Sequence, residues 1–518
     1  MKYFFYILFL MYGLSGFSQD KSTTKVIRQK LIEANYYFQY DNFYDAMPIF
    51  QKIVEIDSSI IEANFKLGVC IFNTNPNKTN AKKYFEKSKS DFNDSYFYLA
   101  RILHSEQLFD QAINNYKYYN SLKGKLTFDE KVVDYYVEKS QVAKQLITSK
   151  ANIKIENLGE NINSLYPDYG VVLSSTEKQF YFTSRRNNSI GQLKNPFGEY
   201  YEDIYVSNHE NGNWLSAKNL QTPVNTAKHD ACVSISNDGN ELYIYRTNQD
   251  SSGGDIYISQ KVEDNWTTPQ IINADINARL SWTPSGSISS DGNTFFFASN
   301  RDGGMGGKDI YKVSKLPTGI WSLAQNLGAS INTQYDEDGP FITADGNTLY
   351  FSSKGHKNMG EFDVFVSHLD SITWSTPENL GYPINSIEND IYYVPSSDMI
   401  SAYLSTNRKE GLGDFDIYKV HDINHITNYV PLKGKVNNEQ TQILKATISI
   451  IDYHSKELQG IYKTNQLTGK YLLILFKNRK YKMIVESEGY QSYIEDFELK
   501  NDFTEKELIK DIKLIKNE

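Results

Sequence analysis

Asp203, Asp255, Asp309, Asp363 and Asp416 each open the same tripeptide, Asp-Ile-Tyr or, at 363, Asp-Val-Phe, at spacings of 52, 54, 54 and 53 residues. Five carboxylates at one repeated position could ring a channel and meet a cation or a polar ligand. An Asp at a strand start also satisfies nearby backbone N–H groups, and a residue that recurs with a repeat is first of all a device of the fold. Trp214, Trp266, Trp321 and Trp374 follow the first four tripeptides and read as packing between repeats. Trp282 breaks that series, sits in a loop, and is the candidate for an exposed contact. Asp336, Glu337 and Asp338 form an acidic loop patch where a divalent ion could sit. The run Gly303–Lys308 reads as a glycine-rich turn, since a calcium-binding glycine repeat wants Asp where Lys308 stands.

No nucleophile elbow of the form G-x-S-x-G occurs, and no H-E-x-x-H or phosphate-binding loop. The eight histidines are scattered without partner spacing. The two cysteines, Cys70 and Cys232, exclude a disulfide framework and zinc sites built on paired cysteines. The expectation is therefore no catalytic residue, no cofactor and no metal site. Residues 1–18, MKYFFYILFLMYGLSGFS, carry one Lys, an apolar run and small residues before Gln19, the pattern of a cleaved export signal. With 54 basic and 63 acidic residues, the net charge of −9 leaves no overall electrostatic footprint for nucleic acid.

The elements that must position these residues are short strands over 152–425. Each Asp follows an aromatic strand such as FYFTSRR (180–186) or FFFASNR (295–301), and Asp-Gly turns at 238, 291 and 345 precede three of them. Asp-Gly between alternating apolar runs is a strong hairpin signal. A period of about 53 residues with four short strands is the size of a propeller blade. An Asn-Leu-x-x-x-Ile-Asn tail follows the first four Asp tripeptides in full or relic form, but not the fifth; a copy stands instead in front, at Asn157-Leu158-Gly159 with Ile162-Asn163-Ser164. That displacement predicts five blades closed by an early strand, which hides the sheet edges. The repeat resembles the TolB-type β-propeller repeat over its whole length.

Residues 25–148 show helical spacing instead. Ala46 with Phe50, Ala81 with Phe85 and Ala112 with Tyr116 recur at intervals of 35 and 31, in a pattern that resembles the tetratricopeptide repeat. That resemblance implies a protein-docking surface, with aromatic Tyr37 and Tyr44 as candidate contacts. Residues 429–516 read as alternating strands. Through Gly434, Ala446, Gly469-Lys470-Tyr471, Tyr481 and Gly489-Tyr490 they resemble the carboxypeptidase regulatory-like domain.

The expected class is thus multidomain: an all-α tetratricopeptide-like solenoid, a five-bladed β-propeller and a small transthyretin-like β-sandwich. This order resembles the OmpA-type envelope proteins that include the PorE-type component of type IX secretion. In that family a peptidoglycan-binding domain follows the sandwich, whereas this sequence stops at Glu518. The resemblance implies an exported, periplasmic or peripherally outer-membrane scaffold. Its expected partners are envelope proteins, including peptidoglycan-associated or outer-membrane components, reached without a membrane span and without enzymatic activity. The candidate partner surface is Tyr37, Tyr44, Trp282, Asp336 and Asp338. The alternative is a glycan or peptidoglycan-fragment binding protein, or a hydrolase, that uses the propeller face.

Overall fold

The computed structural model describes residues 23–517, apart from 76, 125, 175–176, 196–197, 249–252, 273–274, 371, 397–400, 423–428 and 501–507. The export signal and Gln19 lie outside the described residues. The chain divides into two compact units at Gln145/Leu146. Among the described residues no helix is long and apolar enough to cross a membrane.

The first unit is built of short helices: residues 23–38, Phe43–Ile56, Ile61–Thr74, Lys82–Ser88, Asp94–Ser105, Phe109–Ser121 and Glu130–Thr148. Fully buried Ala46, Ala63, Ala81, Ala100 and Ala112 let neighbouring helices approach, and Phe50, Phe85 and Tyr116 fill the space between them. Gly68 is needed here, because a Cβ at this site would lie 2.9 Å from the Phe85 ring.

The second unit is all strands. Five antiparallel sheets follow one another, each with an innermost strand: Asp168–Leu173, Asp230–Ile235, Ser285–Ile288, Glu337–Ile342 and Asp390–Pro395. Each innermost strand packs against the next, and the fifth returns to the first, giving a propeller-like ring. Hydroxyls join four of the five junctions. The Cys232 amide donates to Thr183 Oγ1 (2.9 Å), Ile288 to Ser234 Oγ (3.1 Å), Ile342 to Ser287 Oγ (3.2 Å) and Gly170 to Ser405 Oγ (3.1 Å). Strand Ile153–Asn157 completes the fifth sheet by pairing antiparallel with Asp416–Asp422, Asn157 opposite Tyr418. Two further four-stranded sheets, from Tyr429 to Leu514, enclose a core that includes Val430, Leu432, Ile448, Leu473, Tyr481 and Met483.

This corrects the expected fold class. The chain is predominantly β, and its helical part is a set of helices of 7 to 19 residues, not an all-α solenoid leading into a propeller. Alanine-and-aromatic spacing reports close helix packing, which any helical hairpin shares. The second expected repeat is broken by a 3-10 turn at Lys78–Ala81, which leaves only the seven-residue helix Lys82–Ser88.

Candidate functional site

The repeated aspartates anchor loops. Asp309 accepts the Met305 and Gly306 amides (2.6 and 3.2 Å) and the Asn326 side chain (2.6 Å). Asp363 does the same with Met359, Gly360 and Asn379, and Asp416 with Leu412, Gly413 and Asn157. Asp203 takes the Ile190 amide and Asn219. In the second sheet Ile271 stands where the others have this Asn, and burial pushes the Asp255 carboxyl up. Burial raises Asp203 to about 6 and Asp363 to about 7. Asp203, Asp309, Asp363 and Asp416 are fully buried.

Two other repeated backbone positions do face one end of the ring. The first is fixed by the carbonyl that accepts from the amide at, or just after, the end of each second strand: Pro167, His229, Trp282, Asp336 and Asn389. The second immediately precedes each repeated Asp: Glu202, Gly254, Lys308, Phe362 and Phe415. Four of these, all but Gly254, offer their carbonyl to the head of the next innermost strand, tying the rim together. The backbone repeats at both positions, but the side chains do not. Gly254 is small because Tyr245 fills its place: a Cβ there would lie 2.4 Å from the Tyr245 ring.

The mouth so formed carries two charged networks. In one, Glu202 accepts from Arg185 Nη2 (2.8 Å) and from the Tyr169 hydroxyl, with His229 Nδ1 at 2.8 Å. Arg185 also reaches Glu199 (2.6 Å), and the Tyr201 ring stacks on His229 at 4.0 Å. Burial alone would push the Glu202 carboxyl up; Arg185, His229 and Tyr169 outweigh it and hold it down at about 2. In the other, the Lys308 ammonium pairs with Asp338, which also accepts from Ser285 Oγ and from the Gly339 amide (2.8 Å). The same ammonium lies 4.7 Å from the centre of the Trp282 ring and 5.7 Å from that of Phe362. Lys354 pairs with Asp336 at 3.1 Å and covers Phe362 at 4.6 Å. Burial would raise Asp336; the Lys308 amide and Lys354 hold it below the usual carboxylate range.

Tyr392 closes the floor between the two networks. It stacks on Tyr169 at 6.1 Å and lies in the field of Asp338, Glu202 and Arg185; burial drives its phenol well above the ordinary value. Gly339, at φ +57°, makes room for it, since a Cβ would meet the Tyr392 ring at 3.0 Å. Behind this floor lies a cavity of about 120 Å³, lined by Val172, Cys232, Ile288 and Phe341 and bounded at the far end by Leu472 and Ile474.

Of the residues singled out in the sequence, Trp282, Asp336 and Asp338 come together at this mouth. Trp214, Trp266 and Trp374 lie between sheets, against Tyr403, Tyr181 and Phe296. Trp321 packs on the cluster that holds Tyr243 and Phe295. Tyr37 packs against the core of the helical unit, and Tyr44 is 49% exposed on it. Sequence reasoning passed over Tyr169, Arg185, Glu202 and Tyr392, counted His229 among the scattered histidines, and read Lys308 only as part of a glycine-rich turn. The signal was there: these are the places where a regular repeat stops repeating. Among the described residues no three His, Cys, Asp or Glu are grouped to hold a metal ion.

No family model matches the chain, and no curated relative does. Among solved structures it is similar to an endo-arabinase from Bacteroides thetaiotaomicron, at 14% identity and TM-score 0.34, over 51% of this chain and 96% of that one. An α-L-arabinofuranosidase from Lactobacillus brevis gives 12% and 0.32, over 50% and 92%. A putative glycoside hydrolase from Bacteroides ovatus gives 11% and 0.31, over 50% and 87%. Against the expectation of a chain without enzymatic activity, the solved structures it is similar to carry the names of enzymes.

Proposed function

We propose that the mouth of the ring recognises a carbohydrate, which makes the protein a glycan-binding or glycan-processing chain. The observation that carries this is Trp282. Its indole is 45% exposed, with the Lys308 ammonium over the ring. A fixed indole with carboxylates and hydroxyls beside it matches the alternation of C–H faces and hydroxyl edges on a sugar.

Calorimetric titration with a panel of tetrasaccharides, with reducing ends followed in parallel, tests the reading. At least one member should bind, and Trp282→Ala should weaken it about tenfold or more, the loss expected of a central aromatic anchor. Equal affinity in the variant, or no binding by any member, contradicts it.

A scaffold role has its own observation. Tyr36, Tyr40 and Tyr44 stand exposed on the helical unit, with the Tyr36 and Tyr40 rings edge to face at 5.5 Å. If that surface docks an envelope partner, Tyr36→Ala with Tyr40→Ala should abolish its co-purification while the melting midpoint is kept.

A further inference from the structure

Among the described residues, the cations beside Trp282 and Glu202 are paired with carboxylates. Arg185 is held by Glu199 and Glu202, Lys308 by Asp338, and Lys354 by Asp336. Recognition of an acidic sugar requires a cation free to face its carboxylate, best of all a guanidinium fork. An entering uronate would instead have to displace one of these carboxylates and would meet the negative charge of the one displaced. The tightest pair is the one beside the platform: Lys308 is 7% exposed and Asp338 4%, and Asp338 is further tied by Ser285 and the Gly339 amide. We infer that the mouth takes a neutral sugar, and that the Lys308–Asp338 pair sets this by cancelling the positive charge that lies on the Trp282 ring. The inference rests on the carbohydrate reading of the mouth and names its ligand class.

Asp338→Asn is the informative variant. The amide keeps the shape and an acceptor for Ser285 but leaves the ammonium without a counter-charge. Calorimetry with neutral tetrasaccharides (cellotetraose, xylotetraose, arabinotetraose) and with tetragalacturonate is expected to show wild-type binding of a neutral probe at least about tenfold tighter than the uronate. In Asp338→Asn the uronate should gain about tenfold or more, and that gain should fade between about 0.05 and 0.5 M salt as screening sets in. The double variant Lys308→Met/Asp338→Asn carries neither charge and should keep the neutral preference without the gain. It also shows that any change in the single variant belongs to the ammonium rather than to altered folding. If the wild type prefers the uronate, or Asp338→Asn gains nothing for it while still binding a neutral probe, the inference is overturned and the carbohydrate reading stands. If no probe binds the wild type, both fall.

Discussion

Deletion of residues 152–165 from the full chain should lower the melting midpoint of the β unit by about 10 °C or more and drive the protein to aggregate. The segment is the only described strand that joins the end of the ring to its beginning. Ile153–Asn157 covers the outer edge of Asp416–Asp422. Ile162 is fully buried against Phe180, Phe182, Tyr403 and Ile417. Asn163 accepts from the Ile417 amide at 2.8 Å and donates to its carbonyl at 2.9 Å, across 254 residues of sequence. The other four sheets make the same clasp within one repeat, through Asn225, Asn277, Asn332 and Asn385. Without the segment, a hydrogen-bonding strand edge faces solvent and a core side chain is lost, a penalty of several kcal/mol with exposed-edge aggregation beside it. Asn163→Ala isolates the clasp and should cost about 2 kcal/mol or more, because it strands two buried backbone groups. Differential scanning calorimetry with light scattering reads both. A monomeric deletion variant with an unchanged midpoint would show that the segment does not close the ring.

Acidification should stabilise this protein until about pH 4.5, and stability should fall from there towards pH 8. Glu337 heads the innermost strand of the fourth sheet. In the corresponding places Asp168, Asp230 and Asp390 face Arg186, Arg246 and Arg408. Among the described residues Glu337 has only hydroxyl and amide partners, from Thr333 and Ser353. His356 stands near the missing arginine and reaches the Ile331 carbonyl at 2.8 Å, while Lys354 turns to Asp336. Burial raises Glu337 from 4.5 to about 7 and Asp363 from 3.8 to about 7. A carboxyl whose folded pKa exceeds its unfolded one holds its proton more tightly in the native state. Its contribution is present below the unfolded value and is lost as pH rises through the folded one, about 3 kcal/mol for Glu337. Glu202 runs the other way: held at about 2, it contributes above 4.5 and its share disappears below that. Urea midpoints should therefore peak near pH 4.5 to 5. Glu337→Gln should flatten the decline between pH 5 and 8 by a similar amount. A midpoint that climbs from pH 5 to 8 would contradict this assignment.

What was legible in the sequence is what repeats. The Asp-Ile-Tyr tripeptides and Asp-Gly turns mark the strands of the ring. The displaced Ile162-Asn163-Ser164 copy marks the clasp, because an asparagine that bonds both the amide and the carbonyl of one residue is needed once per sheet. The helical region was less legible. Ala46, Ala81 and Ala112 report that helices touch, and the sequence does not show how far such an array continues. The mouth was the least legible, for a physical reason. Its backbone recurs through carbonyls such as those of Glu202, Lys308 and Phe362, but a ligand needs a different side chain from each sheet. A search for periodicity therefore passes over Glu202 and Lys308. Trp282 was visible because a large aromatic in a loop stands out from any repeat. Tyr392, next to Tyr393 in an ordinary-looking strand, was not; it faces the mouth because the strand bulges between Ile391 and Val394.

The central claim is that a sugar stacks on Trp282 at the mouth of the ring. The most direct test is to titrate the wild-type protein and Trp282→Phe with the tightest-binding tetrasaccharide while following tryptophan fluorescence. The account predicts a saturable change in the wild type that is lost in Trp282→Phe, with calorimetric affinity reduced only a few-fold because the phenyl ring keeps part of the platform. A change of the same size in both proteins would place the sugar elsewhere and contradict the account.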